Sequence, residues 1–265
     1  MPLFQQPFMS GGFPSMNRAT ALGFSPTRGI WAGGNTSAGG AGLSNVIQYI
    51  TIATTGNATD FGDRTITKTS VGGNVTSGTR GIFCGGGEPP VNTIDYITIA
   101  TTGNATDFGD YGDTVYQSNG VTNLTRGAIA AGLYGGSVSN VIEYVTIETT
   151  GNSTDFGDLT VARYGIGGVN DYSDRGVFGG GFTGATRSDV LDYITISTTG
   201  NATDFGDLTA ARNGLRSTSS TTRGIFFNGS TGVSVNTIDY ITIATTGNAT
   251  DFGDSTSAGV VGGWV

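Results

Sequence analysis

Apolar and polar residues alternate over short stretches of this chain, and the stretches recur at a fixed interval. The segment 188–197, SDVLDYITIS, sets Val190, Leu191, Tyr193, Ile194 and Ile196 among polar residues. Near-alternation over strand length, bounded by glycine, asparagine and serine, is typical of β-strands. The pattern therefore predicts an all-β protein.

One phrase occurs five times. ITIATTGNATDFGD stands at 50–63, 97–110 and 241–254, and close variants stand at 145–158 and 194–207. Successive DFGD tetrads begin 47, 48, 49 and 47 residues apart. A fixed period of this length indicates a repeat architecture. The predicted organisation is an extended N-terminal arm at 1–18 and one repeat domain at 19–265, with repeats at about 27–78, 79–124, 125–173, 174–221 and 222–265.

Each period contains four segments of strand length. They are an RG segment that ends in glycines, an ITI segment, a DFGD segment and a segment of the type LTxAR, such as 159–163 and 208–212. The TTGNAT stretch is expected to reverse the chain tightly, because glycine and asparagine tolerate positive φ. Four short antiparallel strands in about 48 residues are the content of one propeller blade.

The order of these segments resembles a kelch repeat. A double glycine follows the RG segment, as at Gly85-Gly86 and Gly179-Gly180, and a tyrosine recurs in the ITI segment, as at Tyr96. The wording DYITIxTTGNATDFGDLT is similar to repeat proteins of tailed phages that infect marine bacteria, including cyanophages, over residues 28–258. The resemblance implies a five-bladed kelch-like β-propeller with four antiparallel strands per blade. It also implies a non-enzymatic virion structural or decoration protein attached to capsid, neck or tail.

The count of segments predicts how the ring closes. There are five RG, five ITI and five DFGD segments but six candidate first strands, because one lies at 19–24 and another at 257–265. We favour 257–265 as the closing strand, since it continues the pattern of SVGG and GIGG, although 19–24 remains the alternative. The first residues are then free to form an attachment arm through Phe4, Phe8 and Phe13.

Arginine and aspartate recur in register with the repeat, and they predict a structural latch. The arginines of the RG segments are expected to hydrogen-bond to DFGD aspartates or to loop carbonyls. A calcium site is the alternative for the paired carboxylates, but the loop lacks a dense acidic spacing. The residues of the predicted latch are Arg28, Arg80, Arg126, Arg175, Arg223, Asp60, Asp63, Asp107, Asp110, Asp155, Asp158, Asp204, Asp207, Asp251 and Asp254.

Contacts between neighbouring sheets are expected to supply most of the stability, because one blade cannot bury both of its faces. The predicted contact brings one set of apolar side chains against its equivalents in the next repeat. The two sets are Ile47, Ile50, Ile52 and Phe61, and Ile94, Ile97, Ile99 and Phe108.

Composition narrows the possible functions. The chain has no histidine, one cysteine (Cys84), one lysine (Lys68) and a net charge of −8. The commonest general base and metal ligand are therefore missing, and no basic stripe faces phosphates. We expect no enzyme activity, no cofactor, no metal and no nucleic-acid partner. No apolar run reaches the length of a membrane span, and the start lacks a secretory signal, which predicts synthesis in the host cytoplasm. Residence in the virion is what the resemblance to phage repeat proteins implies.

The expected partners are other virion proteins, with self-association as a further possibility. The alternative function is a receptor- or glycan-binding propeller of the tail or fibre. In that case the loops at 111–124, 164–174 and 182–190 would form one face, and aromatic side chains would stack on sugars of the host surface. The candidate aromatic residues are Trp31, Tyr111, Tyr116, Tyr134 and Tyr172.

Overall fold

The fold was obtained as a computed structural model that describes residues 27–35, 42–68, 72–87, 89–130 and 132–258. Within these ranges the protein is all-β, and no helix is present. The strands form antiparallel sheets of three or four strands. The described residues contain no helix that could cross a membrane.

Five sheets follow one another along the chain, and we number them one to five. Sheet one has the order β1-β2-β3, with β1 Arg28–Asn35, β2 Leu43–Thr51 and β3 Thr59–Asp63. Sheet two has the order β4-β5-β6-β7, with β4 Gly72–Thr76, β5 Arg80–Gly86, β6 Val91–Thr98 and β7 Thr106–Asp110.

Sheet three repeats the pattern of sheet two and is accompanied by a small extra sheet. Its order is β9-β10-β13-β14, with β9 Asn119–Thr122, β10 Arg126–Ala130, β13 Val141–Thr146 and β14 Thr154–Asp158. The extra sheet pairs β8 Val115–Tyr116, β11 Leu133–Tyr134 and β12 Ser137–Val138.

Sheets four and five again have four strands each. Sheet four contains β15 Gly167–Asn170, β16 Arg175–Gly179, β17 Val190–Thr195 and β18 Thr203–Asp207. Sheet five contains β19 Arg216–Ser219, β20 Arg223–Phe227, β21 Thr237–Thr242 and β22 Thr250–Asp254. We call the first strand of each four-stranded sheet the inner strand and the DFGD strand the outer strand.

The outer strand carries a β-bulge at the phenylalanine of every DFGD tetrad. In sheet four, Leu191 pairs with Gly206 and Asp192 pairs with Asp204, so that Phe205 is the extra residue. The same register shift occurs in the other four sheets. A bulge re-aims a side chain out of the regular alternation. In sheets one to four it accompanies burial of the phenylalanine, and Phe205 is only 2% exposed.

The apolar clusters lie between neighbouring sheets. Ile47 and Phe61 of sheet one are clustered with Ile97 and Ala105 of sheet two. Ile94 and Phe108, which were predicted to face them, belong instead to the cluster between sheets two and three. The prediction that Ile50 and Ile52 face sheet two was also wrong. Successive side chains point to opposite faces of a strand, so these residues lie on the face opposite to Ile47. Both residues are exposed, at 38% and 44%.

The LTxAR segments are not the inner strands that the sequence predicted. Strands β15 and β19 begin at Gly167 and Arg216, several residues later, while 159–163 and 208–212 belong to no strand. The LTxAR segment instead directs a buried arginine into the neighbouring sheet. Most of the candidate closing segment 257–265 and all of 19–24 lie outside the described residues, as do Phe4, Phe8 and Phe13.

Candidate functional site

The contacts between consecutive sheets, which we call joints, contain most of the recurring polar residues. In the first joint the TTGNAT segment of sheet two lies along the outer strand of sheet one. Gly103 donates its N–H to the carbonyl of Phe61 at 2.7 Å, and Ala105 donates to Asp63 at 2.8 Å. The Asn104 side-chain oxygen accepts the N–H of Asp63 at 3.1 Å. The loop therefore caps a strand edge that would otherwise expose unpaired backbone groups.

The same three hydrogen bonds recur in the three following joints. The glycine bonds measure 2.7–2.8 Å, the alanine or serine bonds 2.7–3.0 Å and the asparagine bonds 3.0–3.1 Å. The sequence predicted TTGNAT only as a tight connection. Its function as a cap for the preceding sheet could not be read from the turn residues, because the partner strand belongs to another repeat.

The glycine of DFGD is required by this contact. Gly157 has φ +140°, and a Cβ built on it would lie 2.5 Å from the backbone carbonyl of Gly200 in the next sheet. Real Cβ atoms do not approach a carbonyl so closely. A side chain here would therefore separate two neighbouring sheets.

Four of the five arginines of the RG segments reach the next sheet, where they bond to backbone carbonyl groups. Arg80 donates to the carbonyl of Ile147 at 3.3 Å, and Arg175 donates to Ala244 at 2.9 Å. Arg28 and Arg126 donate to equivalent carbonyls. All five guanidinium groups also stack on the tyrosine of their own sheet, at 4.1–4.6 Å from the ring centroid. Such cation–π contacts restrict the arginine to the orientation that meets the carbonyl.

The DFGD aspartates do not provide the partners of these arginines. None of the four ion pairs among the described residues includes a DFGD carboxylate. The first aspartate of every tetrad is exposed, and in sheets one to four the backbone of the second aspartate forms the bonds to the next loop. Among the described residues, no group of three or more acidic or cysteine side chains could hold a metal ion.

Three buried ion pairs span joints, and the sequence analysis missed them. Arg64 and Asp95 are joined at 2.9 Å, Arg163 and Asp192 at 2.9 Å, and Arg212 and Asp239 at 3.0 Å, with all six side chains fully buried. Burial is the largest influence on each arginine and lowers its pKa, while the paired aspartate raises it. The signal was present in the sequence as an acidic residue at the centre of the apolar IDYITI strand, where a charge needs a partner.

A threonine completes each buried carboxylate. Thr160 donates its hydroxyl to Asp192, and Thr209 donates to Asp239, both at 2.6 Å. Thr65 donates to Asp95 in the same manner. Arginine and threonine come from the segment that follows one outer strand, and aspartate comes from the third strand of the next sheet. Each pair therefore connects two repeats.

The joint between sheets two and three has no such ion pair among its described residues and instead places tyrosines around the carboxylate of Glu143. Glu143 is 6% exposed, accepts the hydroxyl of Tyr134 at 3.1 Å and accepts the N–H of Gly112 at 3.0 Å. Desolvation, followed by the Glu143 charge, raises the pKa of Tyr134 to about 12. The Tyr111 hydroxyl donates to the carbonyl of Ile129 at 3.0 Å.

The inner strands of sheets two to five surround one cavity of about 290 Å³. Its lining is mostly polar and includes Asn74, Asn119, Asn170 and Arg216. Several lining side chains connect adjacent inner strands. For example, the Ser217 hydroxyl accepts the N–H of Gly168 at 3.0 Å and donates to its carbonyl at 2.8 Å. The cavity therefore lies where the inner strands of these four sheets come together.

The aromatic residues that were candidates for stacking on sugars are distributed unevenly. Trp31 is 43% exposed, and Tyr116 and Tyr134 are partly buried. Tyr111 and Tyr172 are buried, at 1% and 8% exposure, and are not accessible to a sugar ring. Burial by the small extra sheet and by the inner strands could not be foreseen from composition.

Comparison with known proteins supplies no further assignment. No protein-family model matches the chain, and no curated protein matches it significantly.

Proposed function

We propose that the protein is a non-enzymatic structural or decoration protein of a tailed-phage particle. The observation that supports the proposal is that recurring charged residues form buried contacts between consecutive repeats. Arg163 and Asp192, like Arg64 and Asp95, are buried between sheets and hold one repeat to the next. A unit copied five times whose buried charges connect copies is suited to building a rigid body for display. The phage assignment itself rests on the resemblance of the repeated phrase.

The proposal includes the arrangement of the five sheets. The five sheets are the blades of a kelch-like β-propeller, with the inner strands around the axis and the DFGD strands outside. What supports it is the single cavity that four inner strands line together. In this arrangement the missing inner strand of sheet one comes from 257–265, of which 259–265 lie outside the described residues.

The attachment segment is proposed to be the N-terminal arm with Phe4, Phe8 and Phe13. Three phenylalanines and three prolines occur within its first 14 residues, and residues 1–15 contain no charged side chain. Such a segment buries apolar surface on a partner while the prolines limit the entropy lost on ordering. The partner is another virion protein of the capsid, neck or tail.

The test is to locate the protein on purified particles by antibody labelling and electron microscopy, and to remove the arm. A chain that starts at Arg18 should fold as well as the full chain, judged by circular dichroism, and should fail to bind particles that lack the protein. The full chain with Phe4, Phe8 and Phe13 changed to serine should fail in the same way. Equal binding by the shortened chain would place the attachment surface on the sheets.

A host-glycan role is the alternative, and the burial of Tyr111 and Tyr172 weakens it. Binding of the isolated protein to glycans of the host surface, in the absence of particle binding, would favour that alternative over a structural role.

A further inference from the structure

The two ends of the series of sheets present the two halves of a joint. The phenylalanines at the four internal joints are 2–3% exposed, whereas Phe252 of sheet five is 55% exposed. On the other side of a joint, Ile147, Ile196 and Ile243 are fully buried, whereas Ile52 of sheet one is 44% exposed. Sheet five thus lacks a following sheet, and sheet one lacks a preceding one, among the described residues.

The backbone of the two end faces has the form that a joint needs. Gly253 has φ +129°, and a Cβ built on it would meet nothing within 4 Å. At Gly62, Gly109, Gly157 and Gly206 the same atom would lie 2.3–2.5 Å from the next sheet. The TTGNA segment at 54–58 of sheet one matches the segments that occupy this space in the internal joints, and all of its residues are exposed.

Both end faces lack the charged residues that form the buried ion pair in other joints. Sheet one has Gln48 where the other sheets have a buried carboxylate, such as Asp192. The segment after Asp254 contains no arginine through the last residue of the sequence. A joint between these faces would therefore contain neither half of the ion pair. A closed joint with only one half would leave a buried charge without a partner, which is strongly unfavourable.

Sheet five could in principle meet sheet one of its own chain or sheet one of a second copy, and the arrangement of the inner strands bears on this choice. The inner strands of sheets two to five line one cavity of about 290 Å³. Strands β4 and β19, which belong to the first and last of these four sheets, therefore border the same cavity. Sheets that translate along a line could not achieve this, whereas sheets that rotate about a common axis bring sheet five round toward sheet one. This arrangement favours sheet one of the same chain as the partner of sheet five.

We propose that β22 binds the 54–58 segment of its own chain as a fifth joint. The expected contacts are Gly56 N–H to the Phe252 carbonyl, Ala58 N–H to the Asp254 carbonyl, and Asp254 N–H to the Asn57 side-chain oxygen. Arg223, which stacks on Tyr240 and is exposed, then donates to carbonyls at the end of β2, as Arg175 does in the joint before it. This inference rests on the five-bladed arrangement proposed above and specifies the contacts that close it.

The experiment is cysteine cross-linking within the full chain. The test variant is Asp254→Cys with Ala58→Cys. The matched control is Asp207→Cys with Ala249→Cys, whose backbone groups are bonded at 2.7 Å in the joint between sheets four and five. The native Cys84 is fully buried, and burial raises the pKa of its thiol, so it remains unreactive. A short bis-maleimide should link both pairs within monomers, to within about twofold of the same yield.

Exchange of the backbone amides provides a reading that does not depend on side-chain orientation. In a closed ring the N–H groups of Gly56 and Ala58 exchange as slowly as those of Gly247 and Ala249, to within about tenfold, measured by NMR. Cross-links between two chains, or protection that is lost when dimers dissociate, would mean that a second copy occupies the face and would overturn the proposal. Exchange of Gly56 and Ala58 at the rate of an open loop would also overturn it. The particle-binding test is independent of either result.

Discussion

At the scale of single residues, the polar groups that matter most are those the chain buries. Arg163 and Asp192 are fully buried and 2.9 Å apart, and Thr160 donates a second hydrogen bond to the carboxylate. Removing one member leaves a charge in an apolar joint. The exposed first aspartates of the DFGD tetrads are different, since water solvates them and their removal leaves no buried charge without a partner.

We expect Asp192→Ala to lower the free energy of unfolding by about 3–5 kcal/mol, because it leaves Arg163 without its partner. Asp204→Ala, at the exposed first position of a DFGD tetrad in the same sheet, should change it by less than about 0.5 kcal/mol. Urea denaturation of the two variants measures the difference. Equal stability of the two variants would show that the ion pair does not hold the joint.

Tyr134 predicts how stability depends on alkaline pH. Its pKa in the folded protein is about 12, above the ordinary value of 10 for tyrosine. The folded state therefore favours the neutral phenol, so this stabilisation is complete below pH 10 and is lost as the pH rises from 10 through about 12. The difference in absorbance at 295 nm between the native protein and Tyr134→Phe should titrate near pH 12. A midpoint near pH 10 would mean that Glu143 and burial do not act on this phenol.

At the scale of elements, the outer strand is shaped for its neighbour. The bulge accompanies burial of the phenylalanine, and the next residue, glycine, lets the following loop approach within hydrogen-bonding distance. Gly157 illustrates this, because an added Cβ would meet the backbone of Gly200 at 2.5 Å. Gly151, in the loop of the same sheet, has a similar φ of +153°, but an added Cβ would meet nothing within 4 Å.

Gly157→Ala is expected to destabilise the protein more than Gly151→Ala does, by about 1–3 kcal/mol, which is the usual range for overpacking. The two variants share the backbone strain of a positive φ, so the difference isolates the contact between sheets. Thermal unfolding at the same protein concentration checks it. Coinciding melting curves for the two variants would show that sheets three and four can separate without loss.

At the scale of the whole molecule, the joints couple every sheet to the next. Each one combines a backbone ladder, an arginine bonded to a carbonyl and an apolar cluster, and three of them also contain a buried ion pair. Repeat proteins unfold as a unit when the interfaces between repeats contribute more than the repeats themselves. A substitution that destabilises one sheet should then lower the stability of all the sheets, including the one at the opposite end of the series.

This coupling predicts a single unfolding transition. With Trp264→Phe as background, fluorescence reports Trp31 in sheet one, while circular dichroism at 215 nm reports all the sheets. The two curves should coincide, and Asp239→Ala in sheet five should shift both to lower urea concentration by the same amount. A shift in circular dichroism that leaves the Trp31 transition in place would mean that the sheets unfold independently.

The sequence by itself determined the all-β class, the period and the glycine and tyrosine positions, because strand alternation and turn chemistry act between residues that are close along the chain. It also placed the RG, ITI and DFGD segments in strands. Only the tertiary structure decided the partners across joints. Arg80, for example, donates to a carbonyl 67 residues away, and the buried partner of Arg163 lies in the next repeat. Identical repeats offer identical local signals, so which copy meets which, and on which face, depends on packing in three dimensions.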